Sequence, residues 1–261
     1  MDIERIFYLS IVIFSGLSLG SFLNVVIYRL PRKESLFFPS SHCPACNEPI
    51  RYFDNIPILS YLLLGGKCRW CAVKISSKYP LIEFITASIA VGLFFIHGLT
   101  INFASDLCLA TILLSSALID SKHMIIPNSL NLTGGIFAVF FSLFKGMDGI
   151  FRSILGALTG FVILSAMFYM GKLFYKREGV GMGDVKLALV IGLFLGPFWC
   201  LISLLLAITA GGIWGIAQLT IGKRLAGKEI PFGPFIAFGG FLVLFFRLQI
   251  LYLFEQYLSL F

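Results

Sequence analysis

The sequence predicts an all-α polytopic membrane protein of about eight transmembrane helices with a small cytoplasmic zinc-ribbon insertion. Three observations carry this. Of 261 residues, 58% are hydrophobic and 13% charged, about half the charged share of soluble domains. Several apolar runs reach the ~20 residues that cross a bilayer core. Between the first two runs lies a polar stretch holding two CxxC pairs.

Taken in order, the predicted spans are 6–28, 80–98, 101–120, 128–145, 149–172, 184–197, 198–221 and 234–254. The opening MDIERIF has no basic n-region, and no small-residue cleavage site follows the first run, so it is expected to be a retained span. The sixth is short for a crossing, which leaves it and the seventh open to a different division around Pro197. Sixteen of the twenty Lys and Arg fall in 29–79, 121–127, 172–186 and 222–233. The positive-inside rule makes these loops cytoplasmic and puts both termini outside. The net charge of +7 is therefore a topology signal. No clustered basic face with aromatic platforms supports a nucleic-acid partner. No internal repeat or low-complexity tract is evident. The expected organisation is 1–28 as first transmembrane helix, 29–79 as cytoplasmic loop and 80–261 as the remaining helices.

In the 29–79 loop, Cys43, Cys46, Cys68 and Cys71 form C-x2-C-x21-C-x2-C. Two knuckles at this separation bring four thiolates to a tetrahedron that suits Zn²⁺. Gly65 and Gly66 permit the tight turn before the second knuckle. Four sulfur ligands leave no open coordination position, so the metal is expected to staple the loop and not to catalyse. Two disulfides, on an inverted topology, or a redox CxxC pair are the alternatives; a reducing cytoplasm disfavours the first. His42 is superfluous once four cysteines serve. Cys108 and Cys200 read as small buried apolar residues.

An ionisable group within a span costs several kcal/mol unless it has a partner or a task. Four of the thirteen acids fall in or at the ends of spans: Glu83, Asp106, Asp120 and Asp184. Asp120 closes the third span and Asp184 opens the sixth in GMGDVKL, so both sit at the cytoplasmic margin on separate helices. Asp106 lies fourteen residues before Asp120, ~21 Å away along a helix. Two facing carboxylates resist joint ionisation; one keeps its proton, as in the aspartic-protease dyad that the general rule takes as its example. The ionised member can take a proton from water while the other donates to a scissile carbonyl. Gly181 and Gly183 admit a close peptide backbone and a sharp turn into the helix. Pro127 punctuates the loop after Asp120. The plainer reading of both acids is an interfacial cap.

Six stretches in order resemble the bifunctional type IV prepilin peptidases: GSFLNVVIYRLP (20–31), the cysteine loop (43–71), YPLIE (79–83), LIDSKHMIIPN (118–128), GMGDVKL (181–187) and IPFGPF (230–235). The resemblance covers nearly the whole chain. It implies a membrane aspartic endopeptidase that cuts the basic leader from prepilins or pseudopilins at the cytoplasmic face. The same enzyme would then N-methylate the new amino terminus with S-adenosylmethionine. The implied setting is a bacterial inner membrane, with pilus or type II secretion components as possible neighbours. The resemblance places the catalytic pair on Asp120 and Asp184 and associates methylation with the cysteine loop. Gly181, Gly183, Pro231 and Gly233 offer small or kinked positions for an extended substrate, although a loop stiffened by prolines explains the last two equally well. No soluble-methyltransferase glycine fingerprint is present. Glu83 is the acid best placed to orient or deprotonate an amine, or else pairs with a nearby Lys or Arg. Asn24 and Arg29 are donor or substrate contacts, or interfacial polar groups. His123 is expected at the surface. The alternatives are a protease of another GxGD branch without methyl transfer, a transporter using Asp120 and Asp184 for protons or cations, and a non-enzymatic zinc-ribbon scaffold. Another protease branch would not be expected to carry two CxxC knuckles.

Overall fold

The computed structural model describes residues 3–175, 180–220 and 230–258. The parts of the expected basic loops that fall in 176–179 and 221–229 lie outside the described residues. Among the described residues there is no strand, only helices and two isolated bridges. The chain packs as two units, 1–98 and 99–261.

In the first unit, α1 (Ile3–Arg29) lies against α3 (Lys78–His97). Small residues permit the approach: a Cβ on Gly20 would stand 2.5 Å from the Cα of Glu83. Asn24 ties the two helices from α1 by donating Nδ2–H to the Tyr79 carbonyl at 3.2 Å. The loop between them carries two short 3-10 turns and the five-residue α2 (Leu59–Leu63). Large apolar side chains such as Phe7, Phe14 and Phe84 face outward from the helices, as expected where lipid is the solvent.

The second unit is a bundle of α4 (Ile101–His123), α5 (Asn128–Leu143), α6 (Gly146–Tyr175), α7 (Met182–Leu195), α8 (Pro197–Thr220) and α9 (Gly233–Leu258). Thr100 caps α4, its hydroxyl accepting from Phe103 N–H at 3.4 Å. Met124 in the left-handed region ends it. The expected division near Pro197 holds: Gly196 at φ 76° closes α7, and Pro197 opens α8 where its missing N–H costs nothing.

Helices α1, α3, α4, α6, α8 and α9 are long and apolar enough to cross a membrane. α5, with 16 residues, and α7, with 14, span only about 24 and 21 Å. α7 is nonetheless the best-buried helix, packing on α5, α6 and α8 and touching α4 and α9. Gly192 makes this possible, since a Cβ there would collide with the Gly156 carbonyl of α6. The short central helix thus places its N-terminal Asp184 inside protein.

Candidate active site and metal centre

Asp120 comes from the last turn of α4 and Asp184 from the first turn of α7; both are buried. Asp120 stands near enough to Asp184 for its charge to bear on it. Each carboxylate is held by a backbone N–H at a helix start. Asp184 Oδ2 accepts from Gly181 N–H at 2.9 Å, and Asp120 Oδ2 accepts from Gly233 N–H at 2.8 Å, across 113 residues of sequence. These N-termini carry positive partial charge, which favours an anion beside them. Asp184 does take part in capping α7, but from the third helical position and buried, not as the interfacial N-cap of the plainer reading. Its second oxygen, Oδ1, is buried and has no hydrogen-bond partner. Capping uses one oxygen and leaves the other without a protein partner.

Gly233 must be glycine for close approach: a Cβ would lie 2.8 Å from Asp120 Oδ2 and 2.9 Å from Asp120 Cβ. Gly183 lies against Ile126, which joins the segment after Asp120 to the first turn of α7. Asn131 of α5 donates Nδ2–H to the Gly183 carbonyl at 3.4 Å, and its Oδ1 is buried without a partner. Sequence reasoning missed Asn131, although an asparagine inside an apolar helix was a usable signal. Pro231 is half-buried just before α9. His123, also half-buried, enters none of these bonds. Asp106 stays apart, in an ion pair at 3.6 Å with Arg247 of α9.

In the first unit the four cysteines converge, all Sγ atoms lying within 4.8 Å of one another. None is in a disulfide. The 3.8 Å between the sulfurs of Cys43 and Cys71 equals the edge of a tetrahedron with metal–sulfur bonds of ~2.3 Å. Backbone N–H groups of Cys46 and Ala45 point at Cys43 and pull its thiol down to about 6, towards the thiolate a metal needs. The two knuckles repeat one backbone pattern. Cys43 N–H donates to Glu48 and Asn47 N–H to Cys43; Cys68 N–H donates to Val73 and Ala72 N–H to Cys68. This short repeat was missed in sequence, yet C-x2-C-x3-I occurs twice, at 43–50 and 68–75. Among residues 30–77 only Cys43 is buried. The loop has no apolar core to hold it, which fits a metal staple.

Between this loop, α1 and the start of α3 is a cavity of about 790 Å³, with Asn24, Arg29, Glu83, Tyr28, Tyr61 and Trp70 among its walls. Glu83 Oε2 accepts from Ile58 N–H at 2.8 Å, and Ser21 stands against the same carboxylate. No Lys or Arg pairs with Glu83 among the described residues. The ion-pair alternative for this acid therefore falls away. Sequence reasoning did not anticipate Ile58, whose φ of 60° turns its N–H to the acid.

Comparison with known proteins gives one consistent result. The bacterial Peptidase A24 N-terminal domain matches residues 14–97, and the type IV leader peptidase family matches 107–216. A prepilin leader peptidase/N-methyltransferase of Aeromonas salmonicida is 35% identical over 91% of this chain and 90% of its own. The protein of that name from Pseudomonas aeruginosa is 35% identical over 90% and 89%, and that from Dichelobacter nodosus 34% identical over 93% of both. None of these names describes a transporter or a protease lacking methyl transfer. No solved structure matches the chain. With both family domains matched in order and relatives aligned over nine-tenths of its length, the chain belongs to the type IV leader peptidase family.

Proposed function

We propose that this protein is the prepilin leader peptidase and N-methyltransferase of a bacterial inner membrane, with Asp120 and Asp184 as its catalytic pair. The observation that carries the peptidase reading is the burial of two carboxylates, from α4 and α7, near enough for one charge to bear on the other, with one oxygen of Asp184 unpartnered. One carboxylate takes a proton from water as the hydroxide oxygen bonds to the scissile carbonyl carbon. The protonated partner gives its proton to the carbonyl oxygen. Collapse of the tetrahedral species breaks the C–N bond as the proton held by the first acid passes to the leaving amine and a hydroxyl proton of the tetrahedral species returns to the second acid, restoring the pair. Gly181, Gly183, Pro231 and Gly233 border the path of the extended substrate. The positive-inside distribution of Lys and Arg supports a site at the cytoplasmic face with the termini outside. Prepilins or pseudopilins are the substrates, as the relatives' names indicate, and pilus or secretion components are the neighbouring assembly.

The second reaction belongs to the first unit. Its cavity has the size of small-molecule sites and an acid with no counter-cation, features that suit S-adenosylmethionine and an amine. When bound, that donor supplies an electrophilic methyl group. Glu83 takes the proton from the substrate ammonium, so that the neutral amine forms the N–C bond as the C–S bond breaks. Asn24 holds α3 in place through Tyr79. Zn²⁺ on Cys43, Cys46, Cys68 and Cys71 would fix the loop that closes the cavity. Methylation goes with the 29–79 loop and proteolysis with the 80–261 helices, except that α3 carries Glu83 into the first unit.

The test is a prepilin incubated with the purified protein in lipid nanodiscs and a labelled methyl donor, the products being weighed. Wild type yields leaderless, methylated product. Asp120→Asn and Asp184→Asn each lower cleavage by at least ~10³-fold, yet methylate a peptide that starts at the mature residue. Cleavage by both variants at wild-type rate would end the assignment.

A further inference from the structure

One cation in the wall of the 790 Å³ cavity is unlike the others. Arg29, the last residue of α1, is only 7% exposed. Its guanidinium donates to the carbonyls of Ser35 at 2.9 Å and Pro39 at 2.7 Å. These two bonds occupy two of the five N–H groups of an arginine. Among the described residues no carboxylate pairs with it. Arg69, also in the wall, is already engaged by Asp54 in a two-pronged ion pair, and Lys74 is exposed.

A buried charge without a counter-charge is costly, and the end of a helix offsets only part of that cost. The cavity also has a buried anion with no cation, Glu83. Gly20 of α1 stands opposite Glu83, and Arg29 lies nine residues further on, about 13 Å along the helix axis. The cavity is therefore bipolar, acid at one level and guanidinium at the other. A ligand that satisfies both carries a carboxylate at one end and presents a cationic or proton-bearing centre at the other.

We propose that Arg29 is the carboxylate anchor of the methyl donor: its free N–H groups clamp the amino-acid end of S-adenosylmethionine. The short aliphatic chain of the donor then directs the sulfonium towards the Glu83 level, where the acceptor amine loses its proton. This inference rests on the cavity being the donor site. It gives Arg29 a binding role besides tying down the 30–39 segment, and it accounts for arginine where lysine could not make a forked contact.

Binding can be read without turnover. The full-length protein in nanodiscs is titrated calorimetrically with S-adenosylmethionine and with its decarboxylated analogue, which keeps the sulfonium and adenosine but lacks the anchored group. Wild type is expected to prefer the intact donor by on the order of 30- to 100-fold. Arg29→Gln should bring that ratio close to one by weakening only the carboxylate-bearing ligand. Arg29→Lys, which keeps the charge and supports the fold if the glutamine variant fails, should lower the ratio several-fold. Equal weakening of both ligands by Arg29→Gln would show that Arg29 only braces the loop, and an unchanged ratio in Arg29→Lys would overturn the forked contact. A wild type that binds both ligands equally overturns the anchor while leaving the donor site standing. A wild type that binds neither overturns the donor-site reading itself, and the anchor with it.

Discussion

The cysteine loop and the 99–261 bundle hold their polar groups by contrasting means. In the bundle, apolar helices supply the packing, and the few buried acids are steadied by backbone N–H groups at helix starts or, for Asp106, by Arg247. The loop buries one residue among 30–77. Its order comes from thiol clustering, two repeated knuckles and ion pairing at its surface. The bundle is stable enough to leave a carboxylate oxygen unsatisfied, whereas the loop depends on a few specific bonds. Damage to the loop should be severe and confined to methylation; damage in the bundle should be slight in stability and selective for cleavage.

The largest effect is expected from breaking the cysteine cluster. Structural zinc contributes ~10–16 kcal/mol to folding in small zinc domains, and this loop has little else. Cys43→Ser with Cys68→Ser should release one zinc per chain in elemental analysis, expose 30–77 to proteolysis and abolish methylation. Leader cleavage should persist. If the wild-type protein carries no zinc, the staple is wrong and the contrast loses its first half.

Next come Glu83 in the first unit and Gly233, the backbone donor to Asp120, in the second. Glu83→Gln keeps the size and the bond from Ile58 but cannot accept a proton, so methylation should fall by ~10²–10³-fold. The accumulated product would be leaderless and unmethylated by mass. A small effect would leave proton removal to water. Gly233→Ala sharpens the other side. Its methyl group would press on Asp120, and a displacement of this kind costs on the order of 10²-fold in rate. Cleavage should drop by that factor, with methylation of a mature peptide and thermal stability nearly unchanged.

Much of this was legible in the sequence because the signals are local. Helix positions follow from apolar runs, and the α7–α8 break from Gly196–Pro197. The convergence of the four cysteines follows from their spacing, and the placing of Asp120 and Asp184 at helix ends from the limits of the apolar runs. What was not legible depends on long-range partners. Nothing in the run IPFGPF says that Gly233 donates to an acid 113 residues earlier, and nothing near YPLIE points to Ile58. Arg247 reads as one of four basic residues on the outer side, until the bundle brings it against Asp106. The knuckle repeat is inconspicuous because, at eight residues, it is far shorter than the periods of about 20–50 residues that mark repeat folds.

The smallest effect should come from the loop's surface pair, and it tests whether thiols or charges hold the loop. Arg69 meets Asp54 at 2.5 Å through Nη2 and 2.8 Å through Nε. The Arg69 hydrogen bond, assisted by the charges of Arg69 and Arg51, holds the Asp54 carboxyl below its ordinary range. A lowered carboxyl pKa stabilises the fold above the unfolded value, ~3.9, and that contribution is lost as pH falls through the folded one. Since Arg69 is 43% exposed, solvent screening should leave the pair only a small contribution. Asp54→Asn should therefore raise the proteolysis rate of the loop only slightly at neutral pH, and the difference from wild type should shrink in 1 M salt, where the Debye length is ~3 Å. A loop that opened as fully in this variant as in the cysteine variant would reverse the ranking, making surface charge and not the sulfur cluster the main restraint.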